Sequence, residues 1–251
     1  QDTAQEIFNN TKNLVESKIT TMVSSAIGWS NKSNPIIGGY TLGLALANGH
    51  IPMNGGVRMT SHEDDASYEI TRMREEGTIV SDAVKCKSKG TSKAINFTII
   101  AGRPILPQIK WFRNSGLCGK TAHNKFIPKE ALFADIKYRE NLLAGLLDGD
   151  GSLCLKKDKN KNLYPRAHWD YSTVSNQLAN DIKFLVSSLG GYCVISERVT
   201  FCEGKPFDSF RLYISFDRSI PVALNRKYGF GPRNGIKNMR EKLSTHIGFH
   251  I

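Results

Sequence analysis

The chain has 251 residues, with 34 Lys and Arg against 23 Asp and Glu, a formal net charge of +11. That length can bury a full core and suits one large domain or two small ones, and a positive excess of this size favours a polyanionic partner, nucleic acid first. The cysteines, Cys86, Cys118, Cys154, Cys193 and Cys202, are odd in number and form no Cys-x-x-Cys pair, which argues against a zinc knuckle or a disulfide framework and for reduced thiols.

Residues 1–34 read as a polar, helical leader ending in the loop signal Ser30-Asn31-Lys32-Ser33-Asn34-Pro35. They are expected to be a remnant of another domain or a segment packed on the outside of the fold. Next comes Tyr40 to Gly49, an apolar helix in which Gly43 and Ala47 stand four apart and Asn48 closes the run. A β-like run follows at Val57 to Ser61, a helix at Asp64 to Glu76, strands near Val80 to Lys87 and Ala94 to Ala101, and a helix starting near Pro104. The second apolar helix is Leu142 to Gly151, with Gly145 and Gly149 on one face and Asp150 at its end; Gly145 lies 102 residues beyond Gly43. A β-like run at Ser152 to Lys156 leads into Lys156 to Asn162, which has no apolar anchor. A helix at Thr173 to Leu189 carries Leu178, Ile182, Leu185 and Leu189 at helical spacing. Strands follow near Tyr192 to Phe201 and Ser209 to Phe216, joined by turn chemistry at Cys202-Glu203-Gly204-Lys205-Pro206, and a last helix begins near Pro221.

The order of elements reads as one αββαββα plan used twice, with halves at 35–130 and 131–251. Small residues at i and i+4 let two helices approach closely. The natural assembly is an α+β fold with the two motif helices packed on a pseudo-two-fold axis and a curved antiparallel sheet in each half. Asp150 stands at a helix C-terminus, where the backbone carbonyls already make the field negative. A carboxylate there is costly unless a cation is near.

The run Leu142 to Gly151 resembles the signature of the LAGLIDADG homing endonucleases, and Tyr40 to Gly49 resembles it more weakly. The likeness extends to Lys125-Phe126-Ile127-Pro128 and Arg139 before the second copy. It continues in Tyr171-Ser172, Ser175, Leu178-Ala179, Leu185 and Ser188-Leu189-Gly190 after it, a set similar to intein-encoded and mating-type-switching endonucleases. The resemblance covers roughly residues 35–230. It implies a monomer whose two sheets form a saddle on a long, asymmetric double-stranded DNA site. It further implies Mg²⁺-dependent phosphodiester hydrolysis leaving short 3′ overhangs.

Phosphodiester hydrolysis needs an activated water, a charge sink and help for the leaving oxygen, all of which divalent metals can supply. Asp150 and Asn48, with the backbone carbonyls of Gly149 and Ala47, make an oxygen-rich set suited to Mg²⁺, or to Mn²⁺ or Ca²⁺ in a trapped complex. Asp148, two residues earlier, is implied by the resemblance to help the helix interface or the cap. Lys125 matches the family lysine before Ile-Pro, which reaches the active site, and Lys227 is its looser partner in the second half. DNA contact is expected from basic residues along the strands: Arg58, Lys85, Lys87, Lys89 and Lys93 in the first half, and Lys156, Lys157, Lys159, Arg166, Arg198 and Arg211 in the second.

Asn48 departs from the signature, because an amide oxygen brings no charge to a metal. The chain is therefore a deliberately disabled endonuclease, a binder that does not cut, or an enzyme that nicks one strand. His50 is a substitute ligand or an ordinary loop residue. An RNA maturase or DNA-binding relic on the same scaffold is the alternative function. Gln1 and His250-Ile251 match neither end of a splicing element, so the chain as given is not expected to splice. No apolar run reaches the length of a membrane span and no signal peptide is visible, so an intracellular protein is expected, whether cytoplasmic, nuclear or organellar.

Overall fold

A computed structural model describes residues 25–29, 33–86, 93–157, 163–202 and 204–216. Six helices are described: α1 Gly39–Asn48, α2 Glu63–Glu75, α3 Pro107–Asn114, α4 Lys129–Leu132, α5 Ile136–Asp150 and α6 Asn176–Ser188. The eight described strands are β1 Gly49–His50, β2 Val57–His62, β3 Val84–Lys85, β4 Ala94–Ile99, β5 Gly151–Lys157, β6 Leu163–Thr173, β7 Tyr192–Cys202 and β8 Lys205–Ser215. They form two four-stranded sheets with the same plan, β1-β2-β4-β3 and β5-β6-β8-β7, antiparallel throughout. The fold is α+β and internally repeated. α1-β1-β2-α2-β3-β4-α3 completes one αββαββα unit, and α5-β5-β6-α6-β7-β8 repeats it as far as the described residues run.

α1 and α5 pack along their lengths, and glycine makes this possible. A Cβ added to Gly43 would lie 2.2 Å from the Leu142 carbonyl oxygen, and one on Gly145 would lie 2.2 Å from that of Tyr40. Backbone therefore meets backbone. Leucines on the other faces of the pair (Leu42, Leu44, Leu46, Leu142, Leu143, Leu146 and Leu147) are fully buried. α1 touches β2 and α2 of its own half, and α5 touches β6 and α6 of the other. Alternation does the rest. Val57 and Met59 of β2 and Ile95, Phe97 and Ile99 of β4 face inward, as do Tyr171, Cys193, Phe210, Leu212 and Ile214 of the second sheet.

Neither motif helix relies on chance at its ends. Gly38, before α1, offers no side chain, and the Glu76 carboxylate beyond α2 takes that place. It accepts the Tyr40 and Thr41 N–H groups at 2.9 Å each and the Thr41 hydroxyl at 2.9 Å. Negative charge at a helix N-terminus is favourable. α5 is capped by Asp135, which accepts the Tyr138 N–H at 2.7 Å. α6 is capped by Ser175, which accepts the Leu178 N–H at 3.1 Å.

The structure departs from the sequence reading in several elements. Ser25 to Trp29 of the expected helical leader is not helical. The Ile27 N–H donates to Ser188 O at 2.9 Å, Trp29 packs on Phe133 at 5.0 Å, and the buried Arg139 donates to Ile27 O and to Ser188 O and Oγ. The strand expected over Val80 to Lys87 shrinks to Val84–Lys85 with a single bridge from Val80 to Ile99, because the Ser81 hydroxyl, not a backbone carbonyl, accepts the Thr98 N–H and Asp82 turns to Arg74. β6 has no counterpart in the expected elements. Pro165 does not break it, because it lies before the stretch that pairs with β8, Trp169 to Thr173, where a missing N–H is tolerated. α3 starts at Pro107 rather than near Pro104, and α6 starts after the Ser175 cap rather than at Thr173. Residues 1–24 and 30–32 of the leader, Glu203 and everything from residue 217 on, including the expected helix near Pro221, lie outside the described residues.

Candidate functional site

The two motif helices end side by side and in the same way. Each passes straight into the first strand of its sheet through an extended glycine. The Gly49 N–H donates to Ala45 O and the Gly151 N–H to Leu147 O, so the last turn closes on itself in both. A Cβ on Gly149 would fall 2.1 Å from the Ala47 Cβ and 3.6 Å from Asn48 Cγ. The segments Ala47-Asn48-Gly49 and Gly149-Asp150-Gly151 therefore meet across the pseudo-two-fold axis. Asp150 is exposed and Asn48 half-buried.

Asp148 is buried in the helix interface, where the Tyr40 hydroxyl of α1 donates to it at 3.2 Å. Burial first, then the adjacent Asp148 charge, drives the Tyr40 phenol far above its ordinary pKa, so it remains a donor.

Lys125 reaches the end of α1 from the connector between the halves. Its Nζ donates to Leu46 O and Gly49 O at 2.8 Å each and lies 3.4 Å from Ala45 O. The residue is 7% exposed. Burial lowers the pKa of its ammonium, with Asp150 pulling in the opposite direction. The three carbonyls lie where α1 ends, two in its last turn and that of Gly49 just beyond it, and a cation there complements the negative helix end. The connector is itself fastened to α6: the Ser175 hydroxyl donates to Lys125 O at 2.7 Å, and the Ile127 N–H donates to Asp181 at 2.8 Å. Burial raises the Asp181 pKa, outweighing the Ile127 N–H and the Gln177 amide.

The outward face of the first sheet continues from the helix ends. Asn48, His50, Arg58, Thr60, Asn96 and Thr98 line an open cleft of ≈ 380 Å³. The register explains the grouping, since His50 pairs with Arg58, Arg58 with Thr98 and Thr60 with Asn96. The Thr60 hydroxyl donates to Asn96 Oδ1 at 2.8 Å. In the second sheet Arg198 and Arg211 stand on the corresponding face. Arg198 donates to the Tyr213 hydroxyl and Arg211 to the buried Asp170.

Arg58, Arg198 and Arg211 thus share the outward faces. Lys85 does not join them: its partner across the ladder is the core-facing Ile95, and it lies 3.8 Å from Glu63. Lys93 lies 3.4 Å from the same carboxylate. Lys87, Lys89, Lys159 and Lys227 fall outside the described residues, and for Lys156, Lys157 and Arg166 only the backbone, in β5 and β6, is described. His50 was raised from sequence as a substitute ligand, but its grouping with Asn96 and Thr98 in one cleft was not legible there. The missing signal was the register of β1, β2 and β4.

The donors at the helix ends suit a hard divalent cation. They are one carboxylate, one amide oxygen and the carbonyls of Ala47 and Gly149, with no sulfur or imidazole from these segments. A second carboxylate is lacking, because Asn48 stands opposite Asp150.

No family model matches the chain. A DNA polymerase of Thermococcus litoralis is 32% identical over 111 residues, which is 44% of this chain and 6% of that protein. Among solved structures, the chain is similar to the LAGLIDADG meganuclease I-CpaMI bound to uncleaved DNA, at 13% identity with 85% of this chain and 92% of that chain covered and a TM-score of 0.41. It is similar also to the I-LtrWI LAGLIDADG homing endonuclease bound to target DNA, at 10% identity with 85% and 93% covered and a TM-score of 0.42. A third is I-SmaMI bound to an uncleaved DNA target in the presence of calcium ions, at 13% identity with 72% and 80% covered and a TM-score of 0.37. Among the described residues no helix is long and apolar enough to cross a membrane.

Proposed function

We propose that the chain is a sequence-specific double-stranded DNA endonuclease of the LAGLIDADG type, acting as a monomer with one half on each side of the cut, and impaired in cleavage by Asn48. The observation that carries this reading is the meeting of two like helix ends, Ala47-Asn48-Gly49 and Gly149-Asp150-Gly151, at the head of a polar, basic sheet face. A protein surface with this arrangement can bind a phosphodiester backbone along the sheets and present a scissile phosphate to the helix ends.

A divalent cation held by Asp150, Asn48 and the Gly149 and Ala47 carbonyls would supply Lewis-acid stabilisation and an activated water. The chain's own residues do the rest. Arg58 and Arg198 bind phosphate or base edges. Asp150 provides the negative charge that draws the cation, and Asn48 holds its place with an uncharged oxygen. Lys125 is a positioning residue: its ammonium fixes the carbonyl end of α1, and so the placement of Asn48, without touching the reacting phosphate. Loss of one carboxylate raises the barrier by about 3 kcal/mol, the scale found for a removed electrostatic stabiliser. Tight binding with little double-strand cleavage is the expected behaviour.

Asn48 also favours a second reading, a relic that binds nucleic acid and does not cut. The two separate in one experiment. Binding sites are selected from a random duplex library, and the enriched site is offered with Mg²⁺ to the chain and to Asn48→Asp. A long enriched site cut on both strands only by Asn48→Asp supports the endonuclease. An enriched site that neither form cuts leaves the binder. No enrichment at all removes the DNA reading.

A further inference from the structure

Away from the helix ends, the outward face of the second sheet carries a second cluster of donor atoms. Cys154 and His168 are partners across β5 and β6. His168 and Asp170 are two apart on β6. Strand alternation therefore sets all three side chains on one face, with the opposed pair at touching distance. The Cys154 thiol lies 3.1 Å from Asp170 Oδ2, and His168 Nε2 lies 3.3 Å from Asp170 Oδ1. One donor atom from each residue lies within 4.8 Å of the other two.

The two oxygens of Asp170 are unequal. Oδ2 accepts from Arg211, whereas Oδ1 accepts no hydrogen bond although the residue is only 5% exposed. The neighbouring imidazole nitrogen stands close to Oδ1 but out of donor geometry. A buried carboxylate oxygen left in this way lacks what a cation would give it. Sulfur, imidazole nitrogen and carboxylate oxygen together suit Zn²⁺ and its neighbours rather than Mg²⁺, which prefers six oxygens. Arg211 then plays the part that outer partners play at metal centres. It hydrogen-bonds Oδ2, the oxygen beside the Cys154 thiol, and so fixes the carboxylate with Oδ1 beside His168. Its positive charge weakens the attraction for any cation, which favours an ion that gains a thiolate bond over one held by charge alone.

We propose that Cys154, His168 and Asp170 form a three-ligand site for a borderline-soft divalent cation, Zn²⁺ foremost, with the fourth position open to water. The site is separate from the all-oxygen helix ends and does not depend on the nuclease reading. Binding exchanges the Cys154 thiol proton for the metal, the proton passes to solvent, and no oxidation state changes. The bond joins β5, the strand that follows Asp150, to β6, on the face proposed to meet DNA.

Titration of the full, chelator-treated chain with Co²⁺ tests this. The expected result is one equivalent bound with a thiolate-to-cobalt charge-transfer band, abolished by Zn²⁺ and untouched by excess Mg²⁺. Cys154→Ser removes the band and His168→Ala weakens Zn²⁺ binding at least tenfold, whereas Cys86→Ser, Cys118→Ser and Cys202→Ser keep both. Circular dichroism checks that each variant is folded. Should Cys154→Ser fail to fold, the parent decides alone: Zn²⁺ slows alkylation of Cys154, read on its own peptide by mass spectrometry. Absence of the band in the parent, an unchanged band in folded Cys154→Ser, or alkylation of Cys154 at the same rate with and without Zn²⁺ overturns the proposal.

Discussion

Gly149→Ala is the most informative single change, because the structure names both the clash and its remedy. The added Cβ falls 2.1 Å from the Ala47 Cβ, while the next nearest atoms, Ala47 Cα and Asn48 Cγ, lie at 3.5 and 3.6 Å, ordinary contact. Overpacking of this kind costs about 3 kcal/mol. Replacing a helical glycine by alanine returns about 1 kcal/mol of propensity, so the single variant should lose about 2 kcal/mol. Ala47→Gly alone should lose about 1 kcal/mol. In Ala47→Gly/Gly149→Ala the only close atom is gone and the two propensity terms cancel, so stability should return to within about 0.5 kcal/mol of the parent. The interaction term is then about 3 kcal/mol in favour of the double variant. Gly145→Ala supplies the contrast, since its Cβ meets the Tyr40 carbonyl oxygen at 2.2 Å and the Leu44 nitrogen at 2.8 Å. No side-chain change can relieve a clash with backbone. Equilibrium urea unfolding of the parent and the four variants reads all of this. A double variant as unstable as the sum of its singles would show that the helix ends do not meet at Ala47 and Gly149, and the site built on that meeting would fall with it.

Lys125→Met keeps the aliphatic stem but takes the ammonium from the Leu46 and Gly49 carbonyls; a loss of about 2–3 kcal/mol is expected by the same unfolding assay, and a loss below about 0.5 kcal/mol would refute the capping role. Asp181 titrates above the ordinary carboxylate value in the fold, so it favours the folded state at low pH. That contribution fades as pH rises from about 3.9 through the raised folded pKa. The stability of Asp181→Asn relative to the parent should therefore improve with rising pH across that window and then level off, and a flat difference would contradict it. Arg58→Ala should lower the slope of log affinity against log salt by about 0.9 if Arg58 holds one phosphate. An unchanged slope together with altered site preference would move Arg58 from backbone to base contact.

Some of this was legible in the sequence and some was not, for physical reasons. Small residues four apart in Tyr40 to Gly49 and Leu142 to Gly151 predict a close helix pair, and the pair is there because nothing larger than glycine fits at Gly43 and Gly145. Alternation in Arg58 to Thr60 marks an outward face. Which strands share that face depends on register, and register is set by partners distant in sequence, so His50, Asn96 and Thr98 were invisible as a group. Lys85 shows the converse limit: its charge is plain in the sequence, but its position across from Ile95 and 3.8 Å from Glu63 is set by the ladder. Lys125 was recognised by its place before Ile127-Pro128, yet only the fold reveals that its charge serves the helix end. β6 was not legible because the pairing of Trp169 to Thr173 with β8, distant in sequence, decides the strand.

The connector has a consequence for building hybrids. Its side chain at Lys125 belongs to the first half, while its backbone at Lys125 and Ile127 is pinned to α6 of the second. A fusion that joined the first half of one such protein to the second half of another at residue 130 would exchange α6 and keep the old connector, and so strand Lys125 O and the Ile127 N–H facing foreign partners. A junction before residue 125 would instead carry the lysine, Ser175 and Asp181 together and ask only that the incoming α1 end in free carbonyls. The seam of this duplicated chain therefore lies earlier than its repeat suggests, and its two halves are interlocked rather than strung together.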